Sequence, residues 1–294
     1  TQPAFHGAEP SMRPGRVDGV PFRMADAPVF LLSDFGTRDA YVGVMRAVIA
    51  GLAPAAAVHD LLHEVPPHDL TGARLQLAAV LPWLPDGEVV CAVVDPGVGT
   101  ERAAVVLPSR DDAGRRATFV APDNGLLTSL LRDERAPYRS PLRADAAWRI
   151  ARDALPPRGP GTTFDGRDLF APAAAMLARG APPSALGRPL DLGALTTTAA
   201  PPLRTTQDGQ AGRIVWIDRF GDLVSDVPAP PRFLVRVAGR ELAGPSPGFG
   251  TVPVGAALAY VGSLGTVEIA VRDGSAADAW AIGRGAAIEV VPLA

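Results

Sequence analysis

Carboxylates recur where apolar segments of this chain end. Asp34 and Asp39 follow Val29-Phe30-Leu31-Leu32, Asp95 follows the run from Glu88 to Val94, and Asp123 stands beside Asn124-Gly125. Asp165 and Asp168 flank Gly166-Arg167, and Asp218 and Asp222 flank Phe220-Gly221. A single aspartate in such a place is ordinarily a turn or capping residue, and Asp168 reads as the cap of a helix opening at Leu169. As a set they fall where open α/β sheets hold ligands, at the carboxyl ends of strands. They suit a ligand with hydroxyls and a positive charge.

Three histidines, His59, His63 and His68, lie within ten residues. His59-Asp60-Leu61-Leu62-His63 has the spacing of a zinc-binding helix, but Pro66-Pro67 leaves no room for that helix, so these groups read as polar residues at a strand end with no metal. Gly97-Val98-Gly99-Thr100-Glu101-Arg102 lacks the third glycine of a dinucleotide loop, and Ala103 to Leu107 after it reads as a strand where a helix would be needed. Cys91, the single cysteine, sits in an apolar run and reads as a buried structural thiol.

All 28 Lys+Arg residues among the 294 are arginine. Without an ε-amine there is no Schiff base, no pyridoxal phosphate attachment and no complete Walker A loop. Asn124 is the sole asparagine. A net charge of −3 with scattered arginines gives no footprint for nucleic acid, and no apolar run approaches the ~18 residues of a membrane span. The expectation is a cytoplasmic protein acting on a small molecule. Residues 1 to 27, rich in Pro and Gly, read as a disordered leader with Met24 as a candidate start.

The elements that must position these groups follow from periodicity. Strands are expected at 29–32, 58–62, 88–94, 103–107 and 118–121, and helices at 39–52, 70–84, 125–132 and 168–179. Continuous apolar strands alternating with helices predict an α/β domain over 28–198 with a mostly parallel sheet. Residues 199–210, rich in Pro, Thr and Gln, read as a linker. Short strands at 213–217, 223–227, 233–237, 267–271 and 287–291 then predict a smaller all-β, barrel-like domain over 211–294.

Several of these blocks resemble, in order, the S-adenosylmethionine hydroxide adenosyltransferases, relatives of the fluorinase and chlorinase. They are Ser33-Asp34-Phe35-Gly36 with Asp39-Ala40-Tyr41-Val42-Gly43, then Asp60 and His63-Glu64-Val65-Pro66-Pro67-His68-Asp69. The match continues through Val94-Asp95-Pro96-Gly97-Val98-Gly99-Thr100-Glu101-Arg102, Ala121-Pro122-Asp123-Asn124-Gly125 and Thr163-Phe164-Asp165-Gly166-Arg167-Asp168. It closes with Ile217-Asp218-Arg219-Phe220-Gly221-Asp222, Gly262-Ser263 and Gly274-Ser275-Ala276-Ala277. The resemblance implies homotrimers with active sites between the α/β domain of one subunit and the β domain of the next. It also implies hydrolysis of S-adenosyl-L-methionine to adenosine and methionine, with no metal or redox cofactor.

By the same resemblance Asp95 and Arg102 belong to a water-positioning triad, and the halogenating relatives lack both. Asp34 grips the ribose hydroxyls, and Asp39, Tyr41, Asp218 and Ser263 surround the methionine end. His68, Phe164 and Phe220 pack on the nucleoside. The chain departs from the family pattern twice. Asp165 stands where the triad has histidine, and Asp222 where Phe-Gly-Asn would place an amide facing adenine. Asp165 either replaces imidazole as general base, or leaves a non-catalytic protein that binds S-adenosylmethionine or a nucleoside; a halogenase is the weaker alternative.

Overall fold

The apolar runs form two sheets. The structure, a computed structural model, describes residues 26–157 and 159–293, so nearly all of the expected leader lies outside the described residues. The first sheet draws on β1 (Val29–Ser33), β2 (Val58–Leu62), β3 (Glu88–Val93), β4 (Ala104–Arg110), β5 (Arg116–Pro122), β6 (Arg143–Ala144), β7 (Ala147–Ile150) and β8 (Gly187–Leu190). Its helices are α1 (Tyr41–Leu52), α2 (Leu70–Val80), α3 (Thr128–Leu131) and α4 (Ala171–Ala178). The strand order is β2-β1-β3-β5-β4-β7-β8, with β6 on β4. Strands β2, β1, β3 and β5 run parallel, and β4, β6, β7 and β8 add antiparallel pairings.

Every residue of β3 is buried, as a strand covered on both faces requires. One face packs on α1 and α4, with Met45, Ile49, Phe170 and Ala174 in the core. The other packs under α2 and α3, with Leu77, Phe119 and Leu130. Val42, Met45 and Ile49 form the buried stripe of α1 at helical spacing, and the helix stops ahead of Pro54. Strands β7 and β8 were not foreseen; they are short, and Arg188-Pro189 gives β8 no alternating pattern to read.

The second sheet comprises β9 (Arg204–Thr205), β10 (Gln210–Ile217), β11 (Leu223–Pro228), β12 (Phe233–Val237), β13 (Arg240–Gly244), β14 (Ala257–Val261), β15 (Thr266–Val271) and β16 (Ala287–Pro292), with α5 (Ala276–Trp280) beside it. It is antiparallel in the order β13-β12-β16-β10-β11-β15-β14. The Ser246 amide just beyond β13 donates to the Ala259 carbonyl of β14 at 2.7 Å, curling the two edges toward closure. Ile214, Phe233, Val235, Ile269 and Ile288 fill the interior. The predicted classes, an α/β unit and a barrel-like all-β unit, are those observed.

The two units meet through Leu75 and Tyr138 against Val215 and Val224. Arg135 reaches across to the Asp226 carboxylate at 2.9 Å and the Pro201 carbonyl at 2.6 Å.

Glu88, at the start of β3, is fully buried, and Arg115 approaches only to 3.8 Å. Burial pushes its carboxyl from 4.5 up to about 7, opposed by its own backbone amide and by Arg115. Because the folded protein holds this proton more tightly than the unfolded chain, stability contributed here is present below about pH 4.5 and is lost as pH rises through 7. Glu88→Gln is expected to abolish that loss, worth at most about 3 kcal/mol. Urea unfolding at pH 5 and pH 8 checks it: the wild type should weaken between them and the variant should not.

Candidate active site

β1 and β3 pair in parallel, with Ser33 opposite Val93, so the chain leaves both strands at the same, carboxyl end and carries Asp34 and Asp95 there. Beyond β3 the chain folds tightly. The Val98 amide donates to the Asp95 carbonyl at 3.2 Å, and the Thr100 hydroxyl to the Gly97 carbonyl at 2.7 Å. Gly99 supplies the left-handed conformation the turn needs, at φ +80°. This brings Arg102 back onto Asp95, to which it donates from Nε at 2.9 Å and from Nη2. Asn124 steadies the same exit by donating to the Val94 carbonyl at 2.8 Å.

Asp165 arrives from the far end of the domain. It opens a π-helical turn, Gly166–Phe170, that runs into α4, a distortion common at functional sites. Its Oδ2 accepts from Arg102 Nη2 at 2.7 Å. One guanidinium thus spans two carboxylates, with Arg102 11 %, Asp95 6 % and Asp165 8 % exposed at the side chain. The Phe170 ring lies beneath it, its centroid 5.2 Å from Arg102 Cζ. A planar, permanently charged fork can hold both carboxylates at fixed angles, which a lysine could not.

The two carboxylates face a cavity of about 310 Å³ lined by Asp34, Tyr41, His68, Asp95, Phe164 and Asp165 among others, while Arg102, which holds them, does not line it. Phe35, Tyr41 and Phe164 make an aromatic wall, with ring centroids 5.1 to 6.0 Å apart. Gly166 is required beneath this wall, because a Cβ there would come within 2.9 Å of both phenylalanine rings. Arg167 covers the outer face of Phe164, 5.3 Å from the ring centroid. Asp34 accepts from the His68 amide at 2.8 Å.

Asp168 does not cap a helix, contrary to expectation. It lies inside the π-helical turn and holds Arg167 through paired bonds of 2.8 Å while accepting from the Gly159 amide at 3.0 Å. The Arg167 bonds hold its carboxyl below the ordinary carboxylate range. The i,i+4 histidines lie along or just beyond β2, not on a helix. His59 stacks on Phe30 with centroids 5.0 Å apart, and His63 is bonded to Ser33 Oγ at 2.7 Å. Cys91 is buried, which pushes its thiol up to about 12.

Of the site residues expected from sequence, Asp34, Tyr41, His68, Asp95, Arg102, Phe164 and Asp165 come together. Asp39 is exposed and does not line the cavity. Asp218, Phe220, Asp222 and Ser263 belong to the second sheet's unit and do not line it either. Asp218 Oδ1 accepts from the Phe220 and Asp222 amides at 2.9 and 2.8 Å, leaving Phe220 projecting and 74 % exposed. Asp222 is buried, and the Tyr260 hydroxyl lies 3.1 Å from it and 2.8 Å from Glu268. Burial pushes both carboxyls above the ordinary range, against the Tyr260 bond, and Asp218 adds to each rise. Ser263 lines a separate groove with Leu264 and Trp83.

Sequence reasoning did not single out Phe35, Pro67, Val98, Thr163 or Gly166 as lining residues, or Phe170 as the floor under Arg102. All but Phe170 lie inside the motif blocks already noted, so adjacency to the aspartates was the available signal. Among the described residues no group of three or more His, Cys, Asp or Glu could hold a metal ion, and no helix is long and apolar enough to cross a membrane.

Fold and site together define a two-unit protein, α/β and barrel-like β, with an acidic small-molecule cavity at the strand ends. Residues 29–187 match the SAM hydroxide adenosyltransferase N-terminal domain and residues 212–289 the C-terminal domain. The chain is 45% identical over 267 residues to the (R)-S-adenosyl-L-methionine hydrolase of Thermus thermophilus, covering 90% of this chain and 99% of that one. It is 36% identical to the protein of that name from Salinispora arenicola, covering 91% and 99%. A crystal structure of an uncharacterized conserved protein from Thermotoga maritima superposes with a TM-score of 0.77 at 30% identity, covering 90% and 100%. The chain belongs to the SAM hydroxide adenosyltransferase family.

Proposed function

We propose that the protein hydrolyses S-adenosyl-L-methionine to adenosine and L-methionine. The observation that carries this reading is the pair Asp95 and Asp165, which line a cavity with Asp34 and are held together by the nearly buried Arg102. A water in this corner can donate to a carboxylate while the guanidinium holds its oxygen toward the cavity. That oxygen bonds to the ribose 5′ carbon as the carbon–sulfur bond breaks, and the electron pair leaves with sulfur. Sulfonium departs as a neutral thioether, so no acid is needed. One water proton stays on the new 5′-hydroxyl and the other passes to Asp165, which returns it to solvent. The reaction as written requires neither metal nor redox cofactor.

In this reading Asp95 and Arg102 orient the water and Asp165 takes the place of the family's histidine. Asp34 receives the ribose hydroxyls, and Tyr41, His68 and Phe164 pack on the substrate. Asp39, Asp218, Phe220, Asp222 and Ser263 complete the pocket from around its rim. Four of these five lie on the β unit away from the cavity of their own chain, which supports a homotrimer in which that unit closes a neighbour's site. Asp222 stands where the family has asparagine. Its carboxylate can accept from the exocyclic amine of adenine, whereas an amide would also donate. The domains are taken as 28–198 and 211–294 joined through 199–210, in a cytoplasmic protein.

Incubation with S-adenosylmethionine in ¹⁸O-labelled water tests the reaction: adenosine carrying the label at its 5′-hydroxyl is expected, with methionine in equal amount. Binding without turnover from pH 6 to 10 would leave only the binding-protein reading. The shared site predicts that a Phe220→Ala protein and an Arg102→Ala protein, each weak alone, recover activity when mixed subunits reassemble. Sedimentation should give three times the chain mass.

A further inference from the structure

His68 lies in the left-handed region at φ +66°, which side chains other than glycine seldom adopt. It is the third residue of a turn over 66–69, closed by the Asp69 amide donating to the Pro66 carbonyl at 3.0 Å, with Pro67 second. A turn with proline second and a left-handed third residue ordinarily takes glycine at that third position. Glycine would relieve the strain here but remove an imidazole from the cavity. The turn also presents the His68 amide to Asp34 Oδ2, 2.8 Å away.

The next residue ties this turn to the β unit. Asp69 Oδ1 caps α2 by accepting from the Gly72 amide at 2.9 Å, and its Oδ2 accepts from Arg284 Nη1 at 2.5 Å. Arg284 precedes β16, where the Gly285 amide is fixed to the Ile214 carbonyl at 2.7 Å. Its Cζ lies 5.2 Å from the Trp216 ring centroid. Trp216 in turn packs on α2 where Gly72 has no side chain, since a Cβ there would come within 2.7 Å of the indole. Neither Arg284, Asp69 nor Trp216 lines the cavity.

We propose that Arg284 is a positioning residue for substrate: through Asp69 it holds the strained turn that keeps His68 against Asp34. The proposal rests on the function proposed above. A half-exposed ion pair is weak by itself, but the strain it opposes is of the same order. Losing it therefore shifts the turn several-fold toward conformations in which the His68 amide leaves Asp34.

Arg284→Gln is expected to raise KM for S-adenosylmethionine about threefold with kcat within about 1.5-fold, and Arg284→Lys to restore most of the loss. Asp69→Asn keeps a capping side chain but weakens the ion pair, and should repeat the KM effect. Hydrogen exchange at the His68 amide should quicken at least fivefold in Arg284→Gln and stay slow in the wild type. An unchanged KM in folded Arg284→Gln, or unchanged exchange at His68, would overturn the proposal. If the wild type does not turn over S-adenosylmethionine the function is wrong, and the exchange comparison still decides the strut.

Discussion

Arg102→Lys should fold and bind S-adenosylmethionine with nearly unchanged KM, yet lose about 10²-fold in kcat. Arginine reaches Asp95 through two nitrogens and Asp165 through one of the same pair. A lysine ammonium keeps the charge but is a point, and cannot hold both carboxylates in one plane. The water then loses its fixed direction toward the 5′ carbon, and misplacement of about 1 Å is enough for a loss of this size. Arg102→Ala should be worse, at about 10³-fold or more, with lower stability because two nearly buried carboxylates lose the guanidinium they share. Single-turnover measurement of adenosine at saturating substrate separates the chemical step from binding. If Arg102→Ala kept more than a tenth of the wild-type kcat, the water would have to sit elsewhere.

Asp165 carries the second large effect. Asp165→Asn is nearly isosteric but cannot accept the proton of the attacking water, and kcat should fall by about 10²–10⁴, the usual contribution of a general base. Asp165→His restores a base of different range, so its activity should rise across the imidazole titration near pH ~6.5. The wild type should not share that limb. A pH–rate profile of the three proteins distinguishes these outcomes. Full activity in Asp165→Asn would remove the carboxylate from the chemistry and leave it a partner of Arg102 alone.

Much of the N-terminal unit was legible. Apolar runs such as β3 and the i, i+3, i+4 stripe of α1 announce themselves because burial on a flat sheet or one helix face imposes a period. Strands β7 and β8 were not legible, because strands of four residues bear little apolar pattern. Asp168 was misread for a related reason: Asp before an apolar helical run is the usual cap, but the Arg167 fork and the Gly159 amide claim its carboxylate first. Gly166 carried a signal with no content until Phe35 and Phe164 were seen to lie against it.

The sequence alone determined the chemical inventory: aspartates at strand ends, arginine as the fixed cation in a chain without lysine, one inert thiol, and motif blocks in the family's order. Only the tertiary structure decided which aspartates meet. Asp95 and Asp165 are seventy residues apart in the chain and share one guanidinium because the π-helical turn packs at the carboxyl end of β3. Asp39, equally suggestive in sequence, ends up exposed. Local patterns report which face of an element is buried, whereas a site depends on where the ends of distant elements are brought by packing of the whole core, and no short window of sequence contains that distance.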